Sequence, residues 1–221
     1  MKLAIFDFDG TLYRKETFTL LMKHLKEHPT YGSRYHRFFR SILLPYFSSK
    51  IKLYSEEKMK ANLMHKYLKT FKGLSKEELH TYFAEVARAM EKDMNEEVLS
   101  RLKEHAAKGY FIMIVSGAFT PLLDVIAKDL PVNQIIGTEV PFTNDMFDHK
   151  QPIDHVHATR KTELIHQVFQ NKSVDWDNSY AYGDSYSDLS VLQLVGKPVA
   201  VSPDEKLRKV AEEKNWEIID G

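Results

Sequence analysis

Apolar and polar residues alternate with two different periods along the chain. From Tyr110 onward, short apolar runs typical of buried strands are separated by segments in which apolar residues recur every three or four positions, as in helices. Repeated strand–helix units of this kind predict a parallel sheet with helices on both faces. The predicted strands cover residues 110–117, 134–140, 179–185, 198–202 and 216–220, with a hairpin or flap over 141–154.

Capping signals mark where two of the helices begin. Thr120 followed by Pro121 predicts an N-cap and a first helical position. The run Ser202-Pro203-Asp204-Glu205 predicts a capping box at the start of the last helix. Besides that last helix, the predicted helices cover about 120–130, 159–170 and 187–196.

The pattern differs between the first apolar run and Tyr110. Residues 16–108 contain no convincing strand, only the periodicity of helices. We therefore predict an α/β protein with a Rossmann-like, doubly wound parallel sheet as its core and an all-helical cap domain inserted after the first strand. The predicted core domain comprises residues 1–15 and 95–221, and the predicted cap domain comprises residues 16–94.

Two acids follow the first predicted strand, residues 3–6, in the sequence Asp7-Phe8-Asp9-Gly10. Successive side chains of a strand point to opposite faces, so the two carboxylates share one side. Two carboxylates at the tip of a buried strand repel each other and cost desolvation energy unless a cation lies between them. A helix N-cap would explain one of these acids but not the pair.

The composition narrows the classes of function. The chain has no cysteine, which excludes disulfides, thiolate metal ligands and a cysteine nucleophile. No apolar run approaches the roughly 20 residues that span a bilayer. Asp7 and Asp9 interrupt the apolar stretch near the N-terminus, so no signal peptide is predicted. We therefore expect a cytoplasmic protein without a membrane span.

Charge is balanced over the whole chain but unevenly distributed. Basic and acidic residues number 31 each, yet residues 31–72 contain ten basic residues and only two acidic ones, Glu56 and Glu57. That segment carries +8 and the rest of the chain −8, which indicates lobes with different partners or an anionic ligand between them. The ten basic residues are Arg34, Arg37, Arg40, Lys50, Lys52, Lys58, Lys60, Lys66, Lys69 and Lys72.

Residues whose side chains can react or bind a ligand follow three of the predicted strands. Ligands of open parallel sheets bind beyond the carboxyl ends of the strands. These residues are Asp7 and Asp9, Ser116 and Gly117, and Asp184 with Asp188 four positions later. The four carboxylates form an oxygen-rich set that suits Mg²⁺. Lys161, near a predicted helix start, adds a cation, and N–H groups at helix starts and after Ser116 would bind an anion.

A phosphoryl group bridged to Mg²⁺ accounts for all of these residues. Its transfer needs a nucleophile, a proton donor for the leaving group and positive charge around the equatorial oxygens. A carboxylate nucleophile that forms an aspartyl phosphate is an established solution. The expected partner is a small phosphate ester, no nucleic acid is expected, and the oligomeric state is left open.

The motifs "DFDGTL", "VSG", a helix-start lysine and "GDSYSD", in this order, resemble those of the haloacid dehalogenase-like phosphohydrolase superfamily. The helical insert is similar to that of its phosphoserine-phosphatase-like branch. The resemblance implies that Asp7 is the nucleophile and a metal ligand. It also implies that Asp9 is the general acid/base and gives its backbone carbonyl to Mg²⁺. The dehalogenases of the superfamily lack this second acid, so Asp9 favours phosphate over halide.

The same resemblance assigns the remaining site residues. It implies that Ser116 and Lys161 bind the phosphoryl group and that Thr11 and Gly117 also contact the substrate. It further implies that Asp184 ligates the metal and that Asp188 supports the metal or Lys161. Each role has a simpler alternative: Ser116 as a turn residue, Asp188 as an acid at a helix start, and Arg160 in place of Lys161.

Glu16 bears on the choice of substrate. It lies seven residues after Asp9, where the chain leaves the sheet for the predicted cap. In the phosphoserine phosphatases that this branch resembles, a glutamate at the matching position receives the substrate's amino group. Those enzymes also use a cap arginine, whereas residues 57–71 contain only lysines, which lack arginine's bidentate contact. Phosphoserine, an amino-alcohol phosphate or another amine phosphate is expected, and a plain helix-start residue is the alternative for Glu16.

Other functions compete with phosphate hydrolysis. A phosphotransferase or phosphomutase shares the chemistry until water attacks, whereas a phosphorylation-sensing receiver domain needs fewer residues and no helical insert. Basic and aromatic residues interleave over 31–52, as in nucleic-acid or membrane-surface binding proteins, although aromatic residues at helical spacing are more often core. A zinc site at His149, His155 and His157 is a weak alternative to solvated loop histidines.

Overall fold

The computed structural model describes residues 1–48 and 56–220, and side chains for residues 1–42 and 59–220. The strands of the described residues are β1 (Leu3–Phe6), β2 (Phe111–Phe119), β3 (Gln134–Thr138), β4 (Phe142–Thr143), β5 (Met146–Phe147), β6 (Tyr180–Gly183), β7 (Lys197–Val201) and β8 (Glu217–Ile219). The α-helices are α1 (Thr17–Glu27), α2 (Gly32–Ser48), α3 (Glu56–Lys69), α4 (Lys76–Met90), α5 (Glu96–Ala107), α6 (Thr120–Ala127), α7 (Thr159–Phe169), α8 (Leu189–Leu192) and α9 (Glu205–Glu213).

Six strands form one parallel sheet in the order β3-β2-β1-β6-β7-β8. The chain winds outward from β1 to β3 and then returns to β6 on the other side of β1, so the strand order reverses between β1 and β6. Ligands of doubly wound sheets bind at that reversal, outside the carboxyl ends of the strands. Asp7 follows β1 and Asp184 follows β6, which brings both acids to this crevice. The predicted α/β fold class is confirmed.

Alternate residues of β1 pack into two separate hydrophobic clusters. Phe6 belongs to the cluster that includes Leu21 of α1 and Phe83 of α4. Ile5 belongs to the cluster that includes Ile165 of α7 and Leu207 of α9. Burial of both faces explains why the strands are continuous apolar runs and why helices flank the sheet on each side.

The described residues of 17–90 form helices α1 to α4 and contain no strand. Two tyrosines hold this part together. The Tyr67 hydroxyl donates to the carbonyl of Leu21 at 3.1 Å and lies 2.6 Å from the Tyr82 hydroxyl. Because Tyr67 has spent its only proton, Tyr82 is the donor of the second bond. Among the described residues, no helix has the length and apolarity needed to cross a bilayer.

The two connections between the sheet and these helices run side by side. The backbone N–H of Asn95 donates to the carbonyl of Leu12 at 2.9 Å, and that of Arg14 donates to Asp93 at 3.0 Å. The side chains of Lys15 and Asp93 pair at 2.8 Å. These contacts lie beside the predicted boundaries at residues 15 and 95, and the division into a core and a cap domain stays a prediction.

The predicted core role of the aromatic residues in the basic segment holds for Phe38, which is 1% exposed. Arg34 is used within the fold, since its guanidinium donates to the carbonyl of Thr70 at 2.7 Å. Phe39 is 41% exposed. Residues 49–52 of the proposed nucleic-acid or membrane-binding segment lie outside the described residues, and that alternative stays untested.

Both predicted helix caps are wrong. Thr120 is the first residue of α6, and Phe119 occupies the N-cap position without a side-chain bond. The Thr120 hydroxyl instead donates to Glu139 at 2.8 Å. At α9 the N-cap is Asp204, whose carboxylate accepts from the backbone N–H of Leu207 at 2.8 Å. In each case a nearby residue occupies the N-cap position instead, Phe119 at α6 and Asp204 at α9. The backbone conformation at the helix start determines which residue is the cap, and the local sequence does not show it.

The predicted hairpin is confirmed. Strands β4 and β5 pair antiparallel across Asn144 and Asp145, whose φ angles of 50° and 59° are those of a type I′ turn. The backbone N–H of Phe147 donates to Leu74 at 2.9 Å, and that of Lys76 donates to Asp145 at 2.7 Å. The hairpin is thereby joined to the start of α4.

Candidate active site

A buried ion-pair cluster around Lys161 forms the floor of the crevice. The Lys161 Nζ donates to Oδ1 of Asp7 and to Oδ1 of Asp188, each at 2.6 Å. The three side chains are 4–9% exposed. Burial lowers the pKa of Lys161, but the charges of Asp188 and Asp7 raise it further, and the net direction is upward. Lys161 is therefore a permanent cation at this point of the fold.

Asp184 adds a third carboxylate to this floor. Carboxylate oxygens of Asp7, Asp184 and Asp188 lie within 4.8 Å of one another. Burial, and then the charges of Asp7 and Asp188, raise the pKa of Asp184 to about 9. Burial also raises the pKa of Asp7 to about 7, against the opposing charge of Lys161. One lysine does not neutralise three such carboxylates, and an all-oxygen donor set fits a hard divalent cation.

Gly10 brings the turn after β1 against Asp184. Its φ is +74°, and a Cβ at this position would lie 2.2 Å from Oδ2 of Asp184. Glycine is required both by the backbone conformation and by the close approach of the carboxylate. The turn therefore sets the distance between the two acid-bearing strand ends.

Asp9 is attached to the beginning of α1. Its Oδ1 accepts from the backbone N–H of Thr17 at 3.1 Å and also from the Thr17 hydroxyl. Burial raises the pKa of Asp9 to about 7; the Thr17 bond opposes this shift and the charge of Glu16 adds to it. Asp9 thus satisfies the first N–H of the helix while its carboxylate faces the crevice beside Asp7.

Ser116 and Gly117 lie where β2 leaves its regular pairing with β3. The register of these strands shifts between Val115 and Phe119. Ser116 is 2% exposed, and its hydroxyl oxygen accepts from the backbone N–H of Ala118 at 3.1 Å. The serine hydroxyl keeps its proton for donation, which is the property required of a phosphoryl-binding group.

A cavity of about 430 Å³ lies above this floor. All six of the predicted catalytic and metal-binding residues line it: Asp7, Asp9, Ser116, Lys161, Asp184 and Asp188. Its outer wall includes Glu16, Phe18, Leu21, Met59, Lys60, Leu63, Met64, His155 and His157. A larger cavity of about 700 Å³ lies among the first residues of β6, β7 and β8, at the opposite end of the sheet. The acidic cluster lines only the smaller of these two cavities, which we take as the candidate active site.

The structure separates the predicted residues that reach this cavity from those that do not. Lys161 reaches it, whereas Arg160 pairs with Asp154 and Glu163 at 2.6 and 2.8 Å. Thr11 is fully buried and does not line the cavity, so its predicted contact with substrate gains no support. Among the described residues, its hydroxyl has no hydrogen-bond partner.

Glu16 and Gly117 also reach the cavity. Glu16 occupies the N-cap position of α1, but its exposed side chain forms no capping hydrogen bond. The position of Glu16 therefore agrees both with the predicted substrate contact and with the simpler role at the helix start. Only a functional test separates these two roles.

The structure adds two residues that the sequence pattern did not single out, namely Thr17 and Thr138. The prediction that the flap histidines are solvated is wrong for His155, which is half-buried, lines the cavity and contacts the Thr138 hydroxyl at 3.2 Å. No local signal marks Thr138, because it meets His155 only through the tertiary fold.

A second cluster with metal-binding residue types lies between α1 and α4, where His24 and His28 meet Glu85. The Nδ1 of His28 accepts from the backbone N–H groups of Thr30 and Tyr31, both at 3.1 Å. The neutral ring must therefore carry its proton on Nε2, which donates to Glu85 at 3.1 Å. A metal needs an unprotonated nitrogen, so this cluster fits a hydrogen bond between His28 and Glu85 rather than a metal site.

The sheet order and the carboxylate–lysine cluster at its reversal define an α/β protein with a candidate metal-binding active site at the strand ends. In comparison with known proteins, residues 4–193 match the family of haloacid dehalogenase-like hydrolases. The chain belongs to that family, whose phosphatases are generally metal-dependent.

Relatives and solved structures support the predicted branch. The chain is 29% identical over 116 residues to "Phosphoserine phosphatase SerB1" of Mycobacterium tuberculosis, covering 52% of this chain and 38% of that protein. A protein of unknown function from Bordetella pertussis has a TM-score of 0.79 at 19% identity, covering 99% and 98% of the two chains. A substrate-bound phosphoserine phosphatase has a TM-score of 0.66 at 17% identity, covering 99% and 92%. These structures share the fold, and the chain spans less than half the length of the curated relative.

Proposed function

We propose that the chain is a Mg²⁺-dependent phosphatase that hydrolyses a small phosphate monoester through an aspartyl-phosphate intermediate. The observation that carries the proposal is the buried Lys161, which lies 2.6 Å from both Asp7 and Asp188 at the floor of an open cavity. A phosphate dianion at this floor would meet the lysine and a divalent cation, and both charges favour it.

Three carboxylates would hold the metal: those of Asp7, Asp184 and Asp188. The backbone carbonyl of Asp9 is a further ligand by resemblance to the family. Bound Mg²⁺ supplies positive charge that offsets the repulsion between these carboxylates and the incoming phosphate. Lys161 holds Asp7 and Asp188 in place by its two hydrogen bonds.

The chain's own side chains divide the reaction between them. The Asp7 carboxylate attacks phosphorus, and the bond between phosphorus and the leaving oxygen breaks. Asp9, oriented by Thr17, gives a proton to the leaving oxygen and then takes one from the water that releases phosphate. Ser116 and Lys161 donate hydrogen bonds to the phosphoryl oxygens throughout both steps.

The cavity wall indicates the kind of leaving group. Glu16 contributes a carboxylate to the cavity wall, close enough to Asp9 to raise its pKa, while Phe18 and Leu63 make part of the wall apolar. A substrate with an ammonium group near its phosphate satisfies Glu16. The side chains described for α3 supply lysine but no arginine at this wall, which favours amino-alcohol phosphates and other amine phosphates beside phosphoserine.

The proposal is tested with a panel of small phosphomonoesters assayed with Mg²⁺ and ranked by kcat/KM. We expect inorganic phosphate to appear in equal amount to the alcohol released. Transfer of the phosphoryl group to an added alcohol, without free phosphate, would favour the phosphotransferase or phosphomutase alternative. No turnover of any ester would contradict both.

A further inference from the structure

The imidazole of His155 forms the part of the cavity wall that borders the turn after β2. A Cβ on Gly117 would lie 3.0 Å from Cε1 of His155 and 3.6 Å from its Nε2. The other ring nitrogen, Nδ1, lies 3.2 Å from the hydroxyl oxygen of Thr138. The ring therefore contacts both the turn at Gly117, next to the predicted phosphoryl-binding Ser116, and Thr138, the last residue of β3.

The hydrogen bonds of Thr138 determine which nitrogen of His155 carries the proton. The Thr138 hydroxyl donates its only proton to the carbonyl of Gly117 at 2.8 Å. Its oxygen accepts from the backbone N–H of Val156 at 3.3 Å. With the hydroxyl proton already used, the contact with His155 requires Nδ1–H as the donor. The neutral ring then carries its lone pair on Nε2, beside Gly117.

His155 lines the cavity together with two lysines, Lys161 and Lys60. His155 is close enough to Lys161 on the core side and to Lys60 of α3 for both charges to lower its pKa. Burial is the largest cause of that shift, and together with His157 and the lysines it lowers the pKa of His155 to about 4. His155 is therefore neutral at pH 7, and it lines the cavity beside Gly117.

We propose that His155 is a specificity-determining residue whose Nε2 accepts a hydrogen bond from a hydroxyl or ammonium group on the leaving group. The inference rests on the proposed phosphatase function and extends it to a second recognition point besides Glu16. A phosphate dianion has only acceptor oxygens, so the Nε2 lone pair repels the dianion and cannot form a hydrogen bond with it. A donor one or two carbons beyond the ester oxygen satisfies the lone pair.

Two substitutions separate the two nitrogens of the ring. In His155→Asn the shorter amide can still donate to Thr138 but supplies no acceptor at the position of Nε2. In His155→Gln the longer side chain can place its amide oxygen near that position. The same substitution at another flap histidine that does not line the cavity, His149→Asn, serves as the matched control.

The readout is the ratio of kcat/KM for phosphoethanolamine to kcat/KM for ethyl phosphate, which lacks a donor. We expect His155→Asn to lower this ratio about tenfold, the range of one hydrogen bond to a charged group, and His155→Gln to restore part of it. His149→Asn should keep the wild-type ratio. A ratio within twofold of wild type in a folded, active His155→Asn overturns the inference and leaves the phosphatase proposal intact.

The tautomer is measured independently of turnover by ¹⁵N NMR of the histidine side chains. We expect Nδ1 of His155 to be protonated and Nε2 unprotonated in the wild type at pH 7, and Thr138→Val to abolish that preference. A proton on Nε2 in the wild type would overturn the inference even if the substrate ratio changed. Failure of the wild type to hydrolyse any ester would overturn the phosphatase proposal and this inference with it.

Discussion

Lys161 and Asp7 are 154 positions apart in the chain, yet their side chains form a hydrogen bond of 2.6 Å in the interior. The ammonium lies equally close to Asp188. Buried charges are tolerated only when they are paired, and removing one partner leaves the other uncompensated. The same contact therefore supports the fold and arranges the nucleophile, which makes it the first target for substitution.

Lys161→Met should lower both activity and stability. The substitution removes the cation between two buried carboxylates, and we expect the free energy of unfolding to fall by roughly 3–5 kcal/mol without metal. Denaturant unfolding in the presence of a chelator measures this. In Lys108→Met, which removes an exposed pair with Glu104 at 3.8 Å, the loss should stay below about 1 kcal/mol. Equal losses in the two variants would contradict the buried pair.

Asp7→Asn tests the nucleophile. The amide is nearly isosteric but does not attack phosphorus, so we expect kcat to fall by roughly three orders of magnitude or more, and no phosphoenzyme to form. Acid-quenched phosphoprotein and released phosphate are the two measurements. Asp129→Asn, at an exposed position, is the control and should retain both. Substantial turnover by a folded Asp7→Asn variant would disprove the assignment.

Gly10→Ala should displace Asp184. Both Gly10 and Gly73 have positive φ, but a Cβ at Gly73 meets nothing within 4 Å, whereas one at Gly10 meets Asp184 at 2.2 Å. Gly73→Ala therefore measures the backbone strain alone, roughly 1–3 kcal/mol. Gly10→Ala should cost more stability and lower kcat/KM roughly 100-fold, because a displacement of about 1 Å at a reacting centre has that effect. Similar stability and full activity in both variants would contradict the close approach.

Removal of metal should abolish activity. We expect a chelator to stop turnover, Mg²⁺ to restore it and Ca²⁺ to inhibit, because Ca²⁺ takes more oxygen ligands at longer distances. Binding of Mg²⁺ to the folded state should also stabilise it, by about 2.7 kcal/mol when the Mg²⁺ concentration is 100 times the dissociation constant. The midpoint temperature of unfolding should therefore rise. Asp184→Asn should greatly reduce that shift. Full activity after exhaustive chelation would rule out the proposed metal dependence.

Glu16→Gln tests the amine-binding role. We expect kcat/KM to fall selectively for phosphoserine and phosphoethanolamine, roughly tenfold or more for a lost hydrogen bond to a charged group, and to change little for ethyl phosphate. A parallel change with all three esters would instead leave Glu16 as a residue of the helix start.

Local sequence alone determined the strand-and-helix alternation, the helical insert and the acid pair after β1. These features depend on side-chain periodicity and on turn chemistry within a few residues, which the chain shows directly. The choice of Lys161 over Arg160 also agreed with the structure, because Lys161 lies on the buried face of α7 together with Ile165 and Phe169.

Only the tertiary structure decided which distant residues meet. The reversal of strand order between β1 and β6 places Asp184 against Gly10, and it is a property of the assembled sheet that no local segment contains. The bond between Asp9 and Thr17, the burial of Thr11 and the contact between Thr138 and His155 likewise depend on packing. A residue's neighbours across a fold are set by where whole elements dock, and side-chain periodicity carries no information about that.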